Sequence, residues 1–191
     1  MIYYYTNREL SKKLEINLAR WKRWSRSFLP PDPLGGMQSG YARQYIFKDL
    51  FKVYLGGYLL TQLKLSVMQS RQVLTDLSPW LKKNGILDLN GADGTVTEMG
   101  APWGGYRIYF RPLSAAGAKN GSDFCYLVRK TVRIRSEEMA TCLQLTETVE
   151  ETIINADAMD GSIFFRNPDV RLINLSPLLA LLVEKLRRQQ Q

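Results

Sequence analysis

Residues 17–28, NLARWKRWSRSF, constrain this chain more than any other stretch. Wound as an α-helix, they place Trp21, Trp24 and Phe28 at i, i+3 and i+7, on one face. Arg20, Lys22, Arg23 and Arg26 are left on the remaining surface, with Lys13 just upstream. The aromatic face is suited to anchor in a core while the other offers cations and hydrogen-bond donors. A helix held rigidly against a duplex needs that division. An ordinary solvated helix with a basic outer face has the same pattern, so the flanking sequence must separate the two readings.

Charge narrows the choice. The 191-residue chain has a net charge of +8, unevenly placed. Residues 1–83 carry 14 Lys/Arg against 5 Asp/Glu, a net of +9, and residues 84–191 carry 12 against 13, a net of −1. A basic half joined to a near-neutral half points to a polyanion-binding module attached to something else. The N-terminus MIYYYTNREL has no apolar run, and no later run approaches the ~18–20 residues needed to span a bilayer. A cytoplasmic protein with no membrane partner is therefore expected, with Cys125 and Cys142 reduced and packed. The chain contains no histidine, and two thiolates alone do not supply the roughly four N/S ligands of a zinc site. No metal or other cofactor is expected.

Thr6 with Glu9 three residues on fits a capping box, opening a helix over residues 7–13 that buries Leu10 and Leu14. Glu15 and Ile16 make a short turn, and Asn17 caps the basic helix. Two short helices, a tight turn and a basic second helix make a helix-turn-helix. The prolines and glycines of residues 29–36 end the second helix. Residues 39–45, SGYARQY, then suit a two-stranded wing, since Gly40 allows a tight turn and Tyr41 and Tyr45 suit a half-buried ribbon. Over residues 47–63, Leu50, Val53, Tyr54, Gly57, Leu60 and Leu63 recur at helical spacing. Gly56 and Gly57 inside that helix should each cost ~1 kcal/mol relative to alanine, and close approach of another helix is the ordinary reason to keep them. Ser66 caps a further helix ending at Leu77 or Leu81, its buried side formed by Val67, Val73, Leu74, Leu77 and Leu81. Pro79 is placed to open a separate short helix, and Asn84-Gly85 closes the region.

In this order and spacing, residues 5–77 resemble the MerR-family winged-helix DNA-binding domain. The resemblance rests on Tyr5-Thr6, Glu9-Leu10-Ser11-Lys12-Lys13, Ile16-Asn17 and Trp21-Lys22-x-Trp24, then Leu29-Pro30 before the wing. It continues through Ser39-Gly40-Tyr41, Tyr45, Asp49-Leu50 and Leu63-x-Leu65-Ser66. The wing is one residue longer than the family pattern, Arg23 replaces the first of a paired aromatic, and the long coiled-coil helix of the family is missing where Asn84-Gly85 interrupts. The resemblance implies a bacterial transcriptional regulator that acts as a homodimer on palindromic double-stranded DNA. RNA polymerase and a small-molecule effector are further partners of that kind of protein. It implies Asn17, Arg20, Lys22 and Arg23 in or at the rim of the major groove. Lys12, Arg26 and Arg43 would meet phosphates, with Tyr41 beside them in the wing.

The second half has a different texture. Glycine- and asparagine-rich turns, Gly104-Gly105 among them, separate runs of strand character at residues 95–97, 106–110, 124–135, 163–165 and 170–173. Residues 146–154 suit strand or helix equally. A small, mainly antiparallel sheet is expected. Ser176-Pro177 then caps a terminal helix with Leu175, Leu178, Leu179, Leu182, Val183 and Leu186 as its apolar stripe. That helix either lies on its own sheet or pairs with a second copy. The fold class expected is thus α+β, with a winged-helix domain over residues 1–84 and an α+β domain for dimerisation or effector sensing over residues 85–191.

Catalytic patterns are poorly represented. Without histidine there is no Ser-His or Cys-His pair, and no glycine-rich segment has phosphate-loop spacing. Glu147, Glu150 and Glu151 fit a solvated acidic face better than a cation site, and Trp103-Gly104-Gly105-Tyr106 fits a loop anchored by its aromatics. The chain is expected not to be an enzyme but a sequence-specific DNA-binding regulator. A DNA-architectural or excisionase-like recombination factor without effector sensing is the alternative, followed by an adaptor that binds an acidic protein.

Overall fold

The computed structural model describes residues 4–32, 43–87, 104–113, 123–136, 144–155, 164–166 and 168–187, without the side chains of 132–136 and 144–147. Over these residues the protein is mixed α+β, with five helices and two antiparallel sheets. The chain divides into two compact units, residues 1–93 with 182–191, and residues 94–181.

In the first unit, helix α1 (Asn7–Leu14) opens with the expected capping box: Thr6 N–H donates to the Glu9 carboxylate at 2.7 Å, and Glu9 N–H donates to Thr6 Oγ1 at 3.4 Å. The backbone bond, then the Thr6 hydroxyl, holds the Glu9 carboxyl below its ordinary pKa. Glu15 ends the helix in the left-handed region at φ 56°, and Ser11 Oγ donates to Ile16 O at 2.7 Å. The turn is therefore tied back to α1 before the next helix begins. Asn17 Oδ1 starts α2 (Leu18–Phe28) by accepting from the Ala19 and Arg20 N–H groups at 2.9 and 3.3 Å.

Helix α3 (Phe47–Thr61) buries Phe47, Leu50, Phe51, Val53, Leu55, Gly56, Gly57 and Leu59, while Tyr54, Leu60 and Leu63 are only half-buried. The single stripe expected from periodicity is corrected because α3 touches α2 and a fourth helix as well as strand β2 (Gln44–Tyr45), and so buries more than one face. That fourth helix, α4 (Val67–Lys83), starts from a Ser66–Gln69 capping box and runs straight through Pro79, where a separate helix was expected. Burial of Val73, Leu74, Leu77 and Leu81 holds the turns on either side of the missing backbone donor. Val67, expected in the core, is 40% exposed, because it occupies the first helical position ahead of the buried stripe. Asn84 closes α4 by donating to Trp80 O, and Gly85 follows at φ +69°.

Strand β2 pairs antiparallel with β1 (Tyr5–Thr6), Tyr5 opposite Tyr45 and Thr6 opposite Gln44. The strand that ends the expected wing thus meets the segment just before α1. Residues 33–42, which hold Tyr41 and most of that wing, lie outside the described residues.

The second unit is a four-stranded sheet of β3 (Gly104–Pro112), β4 (Phe124–Ser136), β5 (Gln144–Ile154) and β6 (Arg171–Asn174), in the order β5-β4-β3-β6. Residues 146–154 are therefore strand. Gly104-Gly105, expected in a loop, opens β3 opposite Val132 and Thr131. Central strand β4 is buried on both faces from Phe124 to Val128. On one face Cys125 and Leu127 meet Phe164, Tyr109, Leu113 and Ile153. On the other, Phe110 contacts Phe124 and Tyr126. Burial raises the Cys125 thiol pKa. Residues 164–166 form a helical turn where a strand was expected, since Phe164 inserts into that core and Phe165 stands edge-on to Tyr109 at 4.9 Å. Glu151 and Glu150 pair across the ladder with Arg129 at 2.6 Å and Lys130 at 3.2 Å, so these carboxylates brace the outer strand. Exposed pairs of this kind contribute about 0.2–1 kcal/mol each. Residues 95–97, Trp103, Cys142 and residues 137–143 are outside the described residues.

The terminal helix, α5 (Leu175–Arg187), begins at Leu175, and Ser176 Oγ accepts the Tyr106 N–H of β3 at 2.8 Å, a tertiary bond in place of the cap expected of it. Leu175, Leu178, Leu179, Leu182, Val183 and Leu186, the expected apolar stripe, are all buried. Within the first unit, Lys13 Nζ donates to Leu186 O at 2.8 Å and Lys185 Nζ to Leu14 O at 3.3 Å. Lys185 also pairs with Glu15. Each helix C-terminus thus receives a lysine from the other, where terminal carbonyls lack intrahelical donors. No helix among the described residues is long and apolar enough to cross a membrane.

Candidate nucleic-acid interface

Helix α2 is held from behind by its aromatic face. Trp21 is fully buried and Trp24 nearly so, while Phe28 is half-buried. The Trp24 ring occupies the space a side chain at Gly57 would take, and the Phe28 ring comes within 2.5 Å of where a Gly56 Cβ would stand. The two glycines are therefore what lets α2 settle onto α3, the close approach their presence in a helix called for.

A second restraint centres on Tyr45. Its hydroxyl lies 2.8 Å from Asn7 Oδ1 and 2.7 Å from buried Ser25 Oγ. The phenol has one proton and an amide oxygen only accepts, so Tyr45 donates to Asn7 and Ser25 donates to Tyr45. One hydroxyl ties α1, α2 and β2 together. Trp21 packs edge-on to the Tyr45 ring at 5.7 Å. Burial pushes the Tyr45 pKa up, against the Ser25 bond and the nearby Arg43 charge. Reading the sequence picked out Tyr45 for the wing but missed Asn7 and Ser25. The available signal was a hydroxyl beside Trp24 on the buried side of α2.

The front of α2 is open. Arg20, Lys22, Arg23 and Arg26 are exposed, as are Lys12 on α1 and Asn17 at the cap. Asn17 has its Oδ1 engaged in starting the helix, which leaves only its amide N–H groups for a ligand. Lys22, Arg26 and Arg43 line one cleft of about 760 Å³ with Ser25, Pro30 and Asp32. Arg43 is held there by donating from Nη1 to Pro30 O at 3.0 Å and by stacking over Tyr45 at 5.7 Å. The fold thus brings three of the expected cations together. Arg20, Arg23 and Lys12 do not line that cleft.

A smaller cleft of about 460 Å³ is lined by Ser27, Phe28, Leu29, Lys52, Arg71 and Thr75, among others. Arg71 Nε donates to Ser27 O at 2.5 Å, capping the last turn of α2 from α4. Lys52 and Arg71 come from two different helices, and nothing local in the sequence marks them. No family model matches the chain, and no curated protein or solved structure is significantly similar to it.

Proposed function

We propose that the protein is a cytoplasmic transcriptional regulator that binds double-stranded DNA sequence-specifically through a MerR-type winged helix-turn-helix in its first unit. The observation that carries this reading is the pairing on α2 of an open face bearing Arg20, Lys22, Arg23 and Arg26 with a back locked by Trp21, Trp24 and the Tyr45 hydroxyl. A major groove about 12 Å wide admits one α-helix, and arginine is suited to two acceptors on one guanine edge. Arg20 and Arg23, outside the cleft, are the base-reading candidates. Lys22, Arg26 and Arg43 are grouped as a phosphate grip, with Lys12 adding charge from α1. One such unit reads too few base pairs for useful specificity, so the regulator acts as a homodimer on a palindromic site. The second unit then serves dimerisation or effector sensing, and RNA polymerase is the partner at a promoter.

The test is a titration of the full chain with genomic duplex fragments at graded salt. The logarithm of the association constant should fall with the logarithm of salt concentration by about 0.9 per phosphate neutralised. A flat profile overturns the reading. Unchanged affinity in the double variant Arg23→Ala, Arg43→Ala removes these residues from the interface.

A further inference from the structure

The cleft of about 460 Å³ beside the last turn of α2 has no part in the reading above. Its walls come from three helices: Ser27 and Phe28 of α2, Lys52 of α3, and Arg71, Leu74 and Ser78 of α4. Small molecules bind in concavities of about 300–1,000 Å³, lined by apolar and aromatic groups with a few polar ones. Here Phe28 and Leu74 supply the apolar walls, and the polar groups are two cations and hydroxyls. A polyanion lying across a surface meets charges and has no use for an apolar recess, whereas the body of a small ligand fills one.

The sign of the ligand follows from the charges. Lys52 and Arg71 line the cleft, and no carboxylate does. Among the described residues neither cation is engaged in an ion pair. Arg71 Nε donates to Ser27 O at 2.5 Å, which orients the guanidinium and leaves both Nη groups without an acceptor among the described residues. A guanidinium held in this way is preorganised to give parallel N–H bonds to two oxygens of one acid group. Lys52 adds a second charge on a flexible stem.

We infer that this cleft binds a small organic anion, with an acid group (phosphate monoester or carboxylate) held by Arg71 and Lys52 and an apolar body packed against Phe28 and Leu74. The ligand then lies against the last turn of α2, which Arg71 already caps. The site belongs to the first unit, apart from the sensing role given to the second, and does not depend on DNA being the partner.

The experiment is calorimetric titration of the full chain with phenyl phosphate and with benzoate, beside inorganic phosphate and benzyl alcohol. At least one of the two aromatic acids should bind saturably at one site. Inorganic phosphate lacks the body and benzyl alcohol the acid, so each should bind at least about tenfold more weakly. Lys52→Gln and Arg71→Gln should each weaken the aromatic acid at least about tenfold, through loss of a charge-assisted hydrogen bond. Lys82→Gln, which removes an exposed cation of α4 outside the cleft, should leave binding unchanged. Thr75→Trp, at an exposed position in the cleft wall, should abolish binding by filling the space while keeping both cations. Should a thermal melt show that Arg71→Gln does not fold, Lys52→Gln and Thr75→Trp decide. Absence of saturable binding by both aromatic acids overturns the inference. So does binding that survives Thr75→Trp, or that Lys82→Gln weakens as much as Lys52→Gln. Inorganic phosphate binding as tightly as the aromatic acid also overturns it, by reducing the site to a patch of charge.

Discussion

Replacing Tyr45 with phenylalanine isolates one atom on which the placement of α2 depends. The ring stays, and with it the edge contact to Trp21 at 5.7 Å. The hydroxyl goes, and with it the 2.8 Å bond to Asn7 and the 2.7 Å bond to Ser25. A net contribution of about 1 kcal/mol per hydrogen bond gives about 2 kcal/mol, and a buried hydroxyl left unpartnered costs about 1–3 kcal/mol more. Ser25 is 3% exposed, so water does not readily replace the phenol. A loss of about 3–5 kcal/mol is expected, a large share of an ordinary stability of 5–15 kcal/mol. Urea unfolding followed by tryptophan fluorescence, to which Trp21 and Trp24 contribute, reads this as a lower midpoint at unchanged slope. The companion Ser25→Ala closes a double-mutant cycle. In the Tyr45→Phe background it should cost much less than in the unaltered protein, because the bond is already broken. A Tyr45→Phe loss below about 0.5 kcal/mol, or strictly additive losses, would refute the idea that this hydroxyl joins α1, α2 and β2.

Two further outcomes follow from the same unit. Gly57→Ala gains about 1 kcal/mol of helix propensity but drives a methyl into the Trp24 ring, at an overpacking cost of about 1–3 kcal/mol. A net loss of up to about 2 kcal/mol is expected, smaller for Gly56→Ala because half-buried Phe28 has room to swing; a raised melting temperature for Gly57→Ala would count against close packing of α2 on α3. Glu9→Gln keeps the capping acceptor but removes the titration. The folded-state pKa of Glu9 lies below its ordinary value of 4.5, so its charge-dependent stabilisation is complete above that value and is lost as pH falls through the lowered pKa. The stability advantage of the unaltered protein over Glu9→Gln should therefore hold at neutral pH and shrink on acidification below 4.5; an advantage that grows there would refute the assignment.

What could be read in advance was local. Thr6 and Glu9 lie within one helical turn, as do Ser66 and Gln69, so chemistry that closes over three residues identifies the helix starts. The α2 aromatics and the α3 glycines were legible separately, one as a stripe and the other as a cost in need of a reason. Their contact with each other was not, because it depends on a crossing that neither segment encodes alone. The same limit explains the α3 core: a stripe assumes one buried face, and α3 is enclosed by α2, α4 and β2. Pro79 misled for the complementary reason, since the local penalty was plain while the burial of Leu77 and Leu81 on either side was not. At the basic surface this difference matters most. Arg20, Lys22, Arg23 and Arg26 announce themselves because four cations share one short helix. Arg43, Lys52 and Arg71 come from separate elements, and only the packing of β2, α3 and α4 around α2 sets them beside it. The charge of a surface of this kind can be counted from the chain, but its arrangement around α2 belongs to the tertiary structure.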